Sequence, residues 1–502
     1  MALLRRNAIL KTHEMKVKRL LLCALSFLCA LCAEAGNDVV EWPDIPLLNV
    51  TTVGGEFPTC DVVYPPEGCL GTGITGAEYV KGRLVMTLKG ETLYDTGEYV
   101  KDESGMRIKI RGNSTGASAG QKPYKIKLSK KFDMLMRGDD DYKEKDWNLL
   151  KISMWNTGLD MDESNILTAL GFMVSKAVGM EFVPGYTFVN LVMNGKYMGM
   201  YYLTDAVERG DKRVDIKKTG FLIENDAYWW NEDLYFKTDH QYPTHGYTFK
   251  HPDADEVDDA TVNAIRQYLN DFEDALYSGS DISQYIDYPL FARWMVGQDV
   301  LCQFDDAGSN MYVYKDDFDV ANPTSTKMKM GPLWDFDAIF KDPSGIGRWS
   351  MSHNAPYFYY DKLFAREDFQ RAYKEAWDEV SPTLMDEVRR GFGELKAKYG
   401  TAIDESFSLH KTVYPDECKK SLQTQIDEMT GLMEERVANM HRLVAQYGSS
   451  GVANVVASGC NEPVRIYDVY GRQYPADDAE GLPRGVYIRR NADGTTVKFM
   501  KK

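Results

Sequence analysis

The chain has 502 residues, 44% of them hydrophobic, and a net charge of -16 at pH 7. That length exceeds one small core and predicts two or three domains with ample apolar material to bury. The acidic balance, with no basic block beyond the first residues, excludes a nucleic-acid partner, because phosphate backbones need concentrated Lys and Arg.

The N-terminus reads as an export signal. Lys16, Lys18 and Arg19 precede the apolar run Leu20 to Leu31, and Ala33-Glu34-Ala35 offers a small-residue cleavage site before Gly36. Residues 1–35 are expected to be removed, with Met15 the more natural start. The run is too short to span a membrane comfortably, and Cys29 and Cys32 lack the small residues that precede a lipid anchor. The expected product is exported to the periplasm, the cell surface or the medium, and is not an integral membrane protein. Among the cysteines left, Cys60 and Cys69 are close enough to close a loop in an oxidising compartment. No Cys or His pair has zinc-ligand spacing, and Cys302, in an apolar helix, reads as a small buried hydrophobe.

Residues 36–104 are predicted to be a β-rich extension packed on the core, Arg83 to Leu88 being its best strand. Gly112, Gly116 and Gly120 then form a loop able to bring backbone N–H groups near phosphates, and a basic strand follows, Tyr124-Lys125-Ile126-Lys127. Lys125 and Lys127 share one face of that strand. Lys127 aligns better with the kinase strand pattern V-A-I-K, and Lys125 is the reserve. Glu163, in the first turn of the next helix, is a candidate to pair with that lysine, although acids are favoured there in any case. Phe188 to Leu203 reads as two apolar strands around Asn194-Gly195, the preferred dipeptide of a type I′ hairpin. Glu224 ends the apolar strand Gly220 to Ile223, where a carboxylate either caps a turn or faces a site. From about Ala260 to Leu301 the chain is predicted helical, with Pro289 in a first turn.

Two acidic clusters follow: Phe304-Asp305-Asp306-Ala307-Gly308-Ser309-Asn310 and Trp334-Asp335-Phe336-Asp337. The strand-like runs Met311 to Tyr314 and Lys327 to Met330, separated by Asp, Asn and Pro, predict a β-hairpin that brings the clusters together. Asp305 and Asn310 have the D-x-x-x-x-N spacing of the kinase catalytic loop, and Asp335-Phe336 falls where the D-F-G aspartate would be. Moving a γ-phosphoryl group needs little covalent work and much charge neutralisation. Asp305 would orient the attacking hydroxyl while Asn310 and Asp335 hold Mg2+; Asp306 and Asp337 are near substitutes for their neighbours.

Residues 360–447 carry long charged amphipathic segments, Leu384 to Leu395 and Leu422 to Ala445 among them, and predict a helical lobe. Gly448-Ser449-Ser450-Gly451 reads as a linker. Residues 448–502 then form a small β module, sandwich-like in its strand spacing.

The segments Arg111-Gly112-Asn113-Ser114, Lys122 to Leu128, Asn194 to Asp205, Gly220 to Glu224 and Trp334 to Asp337 occur in an order that resembles the CotH family of atypical protein kinases, across roughly residues 105 to 345. The resemblance implies an α+β, kinase-like, two-lobed domain over residues 105–447 that binds ATP with Mg2+, or Mn2+ in its place. It implies transfer to Ser or Thr of a protein partner, itself exported or at the surface. Arg111, Gly112, Lys125, Lys127, Asp205 and Glu224 would then lie on the nucleotide side, and the hairpin strand would lead to the adenine. The chain departs from the family twice: Asp205 stands where Glu is usual, and Met161 to Leu167 lacks the usual helical Arg. The last fifty residues or so, with Val464-Arg465-Ile466-Tyr467-Asp468 and Leu482-Pro483-Arg484-Gly485-Val486-Tyr487-Ile488, resemble the sorting domain of type IX secretion substrates in the Bacteroidetes, which implies a secretion machinery as partner. Two other readings share these residues: a surface adhesin that keeps the fold without activity, and a glycosyltransferase using Asp335 and Asp337 as a D-x-D pair.

Overall fold

The computed structural model describes residues 42–152, 165–305, 309–340, 346–347, 349 and 358–447, and in the tail 465–468, 473–474, 482, 485–490 and 496–501. The export signal, Glu163, Asp306 and the linker at 448–451 lie outside the described residues.

In chain order the strands are β1 (Leu47–Thr52), the short pair β2 (Asp61–Val63) and β3 (Gly73–Thr75), then β4 (Val80–Leu88), β5 (Glu91–Asp95), β6 (Met106–Ile110), β7 (Tyr124–Phe132), β8 (Glu144–Lys151), β9 (Tyr186–Met193) and β10 (Lys196–Asp205). Apart from β2 and β3 they form one eight-stranded sheet in the order β1-β9-β10-β8-β7-β6-β4-β5, and β1 also pairs with β4. The sheet therefore closes into a barrel, with β5 added outside the ring. Strict alternation explains its interior: on β7, Tyr124, Ile126 and Leu128 are buried while Lys125 and Lys127 face out. Leu48, Val50, Leu84, Met86, Ile108, Trp147, Leu191 and Leu203 join them in one core. The predicted hairpin is present, with Asn194 at φ +51° and Gly195 at φ +75°, both on the positive side that a type I′ turn requires.

The N-terminal strands correct one expectation. Residues 42–104 are not simply an addition packed on the core, because β1 and β4 are staves of the barrel and Val80 of β4 pairs with Ile108 of β6. Leu48, Val50, Leu84 and Met86 alternate inward like the residues of the later strands and share one core with them.

A second sheet takes β11 (Phe221–Asp226), β12 (Tyr235–Phe236), β13 (Gly246–His251), β14 (Met311–Lys315) and β15 (Lys329–Met330), in the order β12-β13-β11-β14-β15. The helices are α1 (Ser114–Ala117), α2 (Leu167–Ala177), α3 (Asp259–Tyr277), α4 (Tyr288–Val300), α5 (Tyr360–Phe364), α6 (Glu367–Tyr399), α7 (Ala402–His410) and α8 (Leu422–Val444). Asp287 caps α4 by accepting from Leu290 N at 3.0 Å, with Pro289 in the first turn as predicted. The apolar stripes of α4, α6 and α8 meet in a core that includes Trp294, Tyr373, Trp377, Met433 and Met440 and continues onto the outer face of β9 and β10 through Phe188 and Tyr202. Tyr399 at the end of α6 locks that junction, its hydroxyl accepting from Phe188 N at 3.0 Å.

The tail strands β16 (Arg465–Asp468), β17 (Gln473–Tyr474), β18 (Gly485–Arg490) and β19 (Thr496–Lys501) make an antiparallel sheet in the order β17-β16-β18-β19. Among the described residues it is one sheet rather than two facing layers, with Ile466, Leu482 and Tyr487 buried against it. Cys60 and Cys69 are both free thiols. No helix among the described residues is long and apolar enough to cross a membrane.

Candidate functional site

A cleft of about 720 Å3 is lined on one side by the barrel and on the other by the second sheet and its loops. The barrel supplies Lys109 and Ile110 from β6, Arg111 and Gly112 just beyond it, Lys125 from β7, Leu150 and Lys151 from β8, and Ala206 and Val207 after β10. The opposite side supplies Glu224 and Asp226 from β11, Lys250 from β13, then Asp305, Asn310, Asp335 and Asp337. Ile74, Ile110, Leu150, Val207, Phe172 and Trp334 give part of the cavity an apolar lining.

The two acidic clusters meet through backbone pairing on both flanks. Val313 pairs with Met330 and Tyr314 with Lys329, which is the predicted hairpin. On the other flank Gln303 bridges Ile339, and Phe340 N donates to Leu301 O at 3.2 Å. Between them Phe336 is driven into α2: a Cβ on Gly171 would lie 2.1 Å from the Phe336 ring, so only glycine lets the helix approach this closely. With the Phe336 ring anchored there, the flanking Asp335 and Asp337 are left to line the cleft.

Asn310 (φ +65°) and Asp335 (φ +61°) are both left-handed, a conformation that costs a non-glycine residue free energy and is held only when its surroundings over-determine it. Asn310 is held by Glu224, whose Oε1 accepts from Asn310 N at 2.8 Å. Glu224 Oε2 pairs with Lys250 Nζ at 2.9 Å. Burial works against the Lys250 ammonium, but the Glu224 carboxylate raises its pKa overall.

Negative charge is concentrated here. Burial and then the Asp337 carboxylate push Asp335 up to about 7, against the pull of Arg111 and of the hydrogen bond from Asn310. Burial and Glu224 push Asp226 up to about 7 in the same way, although it accepts from Tyr228 N at 2.8 Å and from Ser309 Oγ at 3.0 Å. Burial lowers the Lys151 pKa, while Asp337, Glu417 and Asp335 pull it upward. Asp335 and Asp337 with the Asn310 amide form a hard-oxygen donor set whose mutual repulsion a divalent cation would relieve. Among the described residues no group of three His, Cys, Asp or Glu side chains could hold a metal by itself.

A family model described as CotH kinase protein matches residues 108–440. The chain belongs to the CotH kinase family. No curated protein matches it. Of the residues singled out in the sequence, Arg111, Gly112, Lys125, Glu224, Asp305, Asn310, Asp335 and Asp337 all line this cleft. Gly112 sits at φ +76° and turns the chain into α1.

Two expectations are corrected. Lys127 does not line the cleft; two residues along β7, about 7 Å further on, it shares the Asp146 carboxylate with Lys125, at 3.5 Å and 3.0 Å respectively. Of the two lysines, Lys125 is the one that lines the cleft. Asp205 points away as well. Its carboxylate takes both Arg137 Nη1 (2.8 Å) and Nη2 (3.1 Å) and accepts from Gly185 N at 2.8 Å, so it braces the barrel while Ala206 and Val207 face the cleft.

Sequence reasoning missed Asp226, Lys151 and Lys250. The first stands two residues from Glu224 on one strand face, so alternation would have found it. The lysines end or interrupt apolar strands, and nothing local separates them from solvated ones.

Proposed function

We propose that this CotH kinase-family protein is an exported protein kinase that transfers the γ-phosphoryl group of ATP to a Ser or Thr hydroxyl of an exported or surface protein. The observation that carries the reading is that Asp305, Asn310, Asp335 and Asp337 line one cleft with Arg111, Lys125 and Lys151. In this reading the barrel is the nucleotide-holding lobe and the second sheet with its helices is the other lobe. Ala206 and Val207, with Ile110 and Leu150, receive the adenine; Lys125, Lys151 and Arg111 meet the phosphates.

Asp305 orients the acceptor hydroxyl, whose oxygen attacks the γ-phosphorus as the bond to the β–γ bridging oxygen breaks. The hydroxyl proton passes to Asp305 or to water, and ADP leaves. Asn310, Asp335 and Asp337 would hold Mg2+, which neutralises charge on the phosphates. The leader and the tail support export, and the tail supports delivery through a type IX-like secretion machinery.

The test is transfer from labelled ATP to the mature chain and a generic acceptor protein, with and without Mg2+, in wild type and Asp335→Ala. Metal-dependent labelling lost in the variant is expected. No labelling and no ATP-induced rise in melting temperature would replace the kinase with a binding protein on the same fold, and binding of a sugar nucleotide with Mn2+ in place of ATP would replace it with a glycosyltransferase.

A further inference from the structure

Gln303, one residue past the end of the turn that follows α4, is only 2% exposed. Its side-chain amide is used at both ends. Oε1 accepts from Phe304 N at 3.1 Å and from Asp305 N at 3.4 Å, and Nε2 donates to Asp335 O at 2.9 Å. One amide thus ties the backbone that carries Asp305 to the backbone that carries Asp335. The second of these anchors falls on a left-handed, non-glycine residue, whose conformation must be imposed from outside.

We propose that Gln303 is a positioning residue that sets the distance between the hydroxyl-orienting carboxylate Asp305 and the metal-side carboxylate Asp335. The assignment rests on the kinase reading of the cleft. It follows from the chemistry of the amide, because the Gln amide offers an acceptor and a donor on one planar group and its length spans the two backbone segments. Glu at 303 would keep both acceptor bonds and the shape but would set a carboxylate oxygen against the Asp335 carbonyl. Met would keep the volume and lose all three bonds.

The experiment measures Mn2+ binding by electron paramagnetic resonance in the presence of ATP, together with kcat, KM and melting temperature, for wild type, Gln303→Glu and Gln303→Met. Removing an outer partner of a metal ligand typically costs 10- to 100-fold, so Mn2+ affinity and kcat are each expected to fall at least about tenfold while KM for the acceptor protein changes less than about twofold. A role confined to folding would lower the melting temperature and leave the Mn2+ affinity of the folded fraction unchanged, which would overturn the proposal. Should Gln303→Met fail to fold, Gln303→Glu decides, since it keeps the shape and two of the bonds. Wild type that binds no Mn2+ and transfers no phosphate overturns the kinase reading; wild type that does both, with variants that match it, overturns Gln303 alone.

Discussion

The cleft sets a basic wall against an acidic one, and the two are built differently. Lys109, Arg111, Lys125 and Lys151 come from the barrel, whereas Glu224, Asp226, Asp305, Asp335 and Asp337 come from the second sheet and its loops, with Glu78 and Lys250 on the opposite sides as exceptions. On the basic wall, strand alternation aims the side chains, and the barrel interior holds the strands. On the acidic wall the key residues sit at left-handed backbone positions pinned by side chains from elsewhere, Asn310 by Glu224 and Asp335 by Gln303. In the proposed kinase, affinity for phosphate would thus rest on a rigid scaffold and charge handling on a strained one, a division that predicts where each kind of damage will show.

The largest effect should come from the acidic wall. Asp335→Ala is expected to lower phosphoryl transfer on the order of a thousandfold, the scale for losing one charge-stabilising group in a closed site. In metal-free buffer the same variant should melt no lower than wild type, because burial and Asp337 both penalise the carboxylate it removes. A marked drop in melting temperature would make Asp335 a structural residue and erase the contrast between the walls.

Next is the buried pair behind Asn310. Lys250→Met leaves Glu224 without its cation and should cost about 3 kcal/mol in urea unfolding, the low end for breaking a buried pair because Lys250 keeps some exposure. Adding Glu224→Gln should restore most of that loss, since the amide oxygen can still accept from Asn310 N. A double variant no more stable than Lys250→Met would show that the pair is not what the acidic wall rests on.

The basic wall should respond in affinity instead. Lys125→Ala is expected to raise the KM for ATP about tenfold, the size of one lost charge-assisted hydrogen bond, with kcat changed less. Lys127→Ala, on the same strand face but outside the cleft, should leave both within about twofold of wild type on the scale of an exposed ion pair. Equal effects would place the nucleotide further along β7 than the cleft allows.

How much of this was legible in the sequence follows the same division. The alternation of Tyr124 to Leu128, the Asn194-Gly195 turn and the meeting of Asp305 with Asp335 are local signals, and all three are in the structure. The barrel closure was not legible, because β1 and β4 carry the same alternating pattern whether they pad a core or enclose one. Glu224 was singled out as an acid ending a strand, but its grip on Asn310 crosses 86 residues and nothing in either segment announces it. Motif alignment favours Lys127 over Lys125, but a motif fixes the strand face and not how far along the strand the cleft reaches, and Lys125 is the one that lines it. Its place at the end of β10 draws Asp205 toward the nucleotide, yet Arg137 from a distant loop holds it elsewhere.

Gly112 tests whether the basic wall depends on one backbone turn as the acidic wall depends on two. At φ +76° it holds the left-handed conformation at no steric cost, and a Cβ there would meet Thr115 Oγ1 at 2.3 Å. The hydroxyl can rotate away, so what Gly112→Ala must bear is mainly the backbone term, about 1 kcal/mol. That loss should appear in urea unfolding with Arg111 and α1 still in place, and the KM for ATP should rise a fewfold as Arg111 shifts. If stability falls by that amount and KM does not move, the Arg111 loop is scaffold, and the phosphates are met by the strand lysines alone.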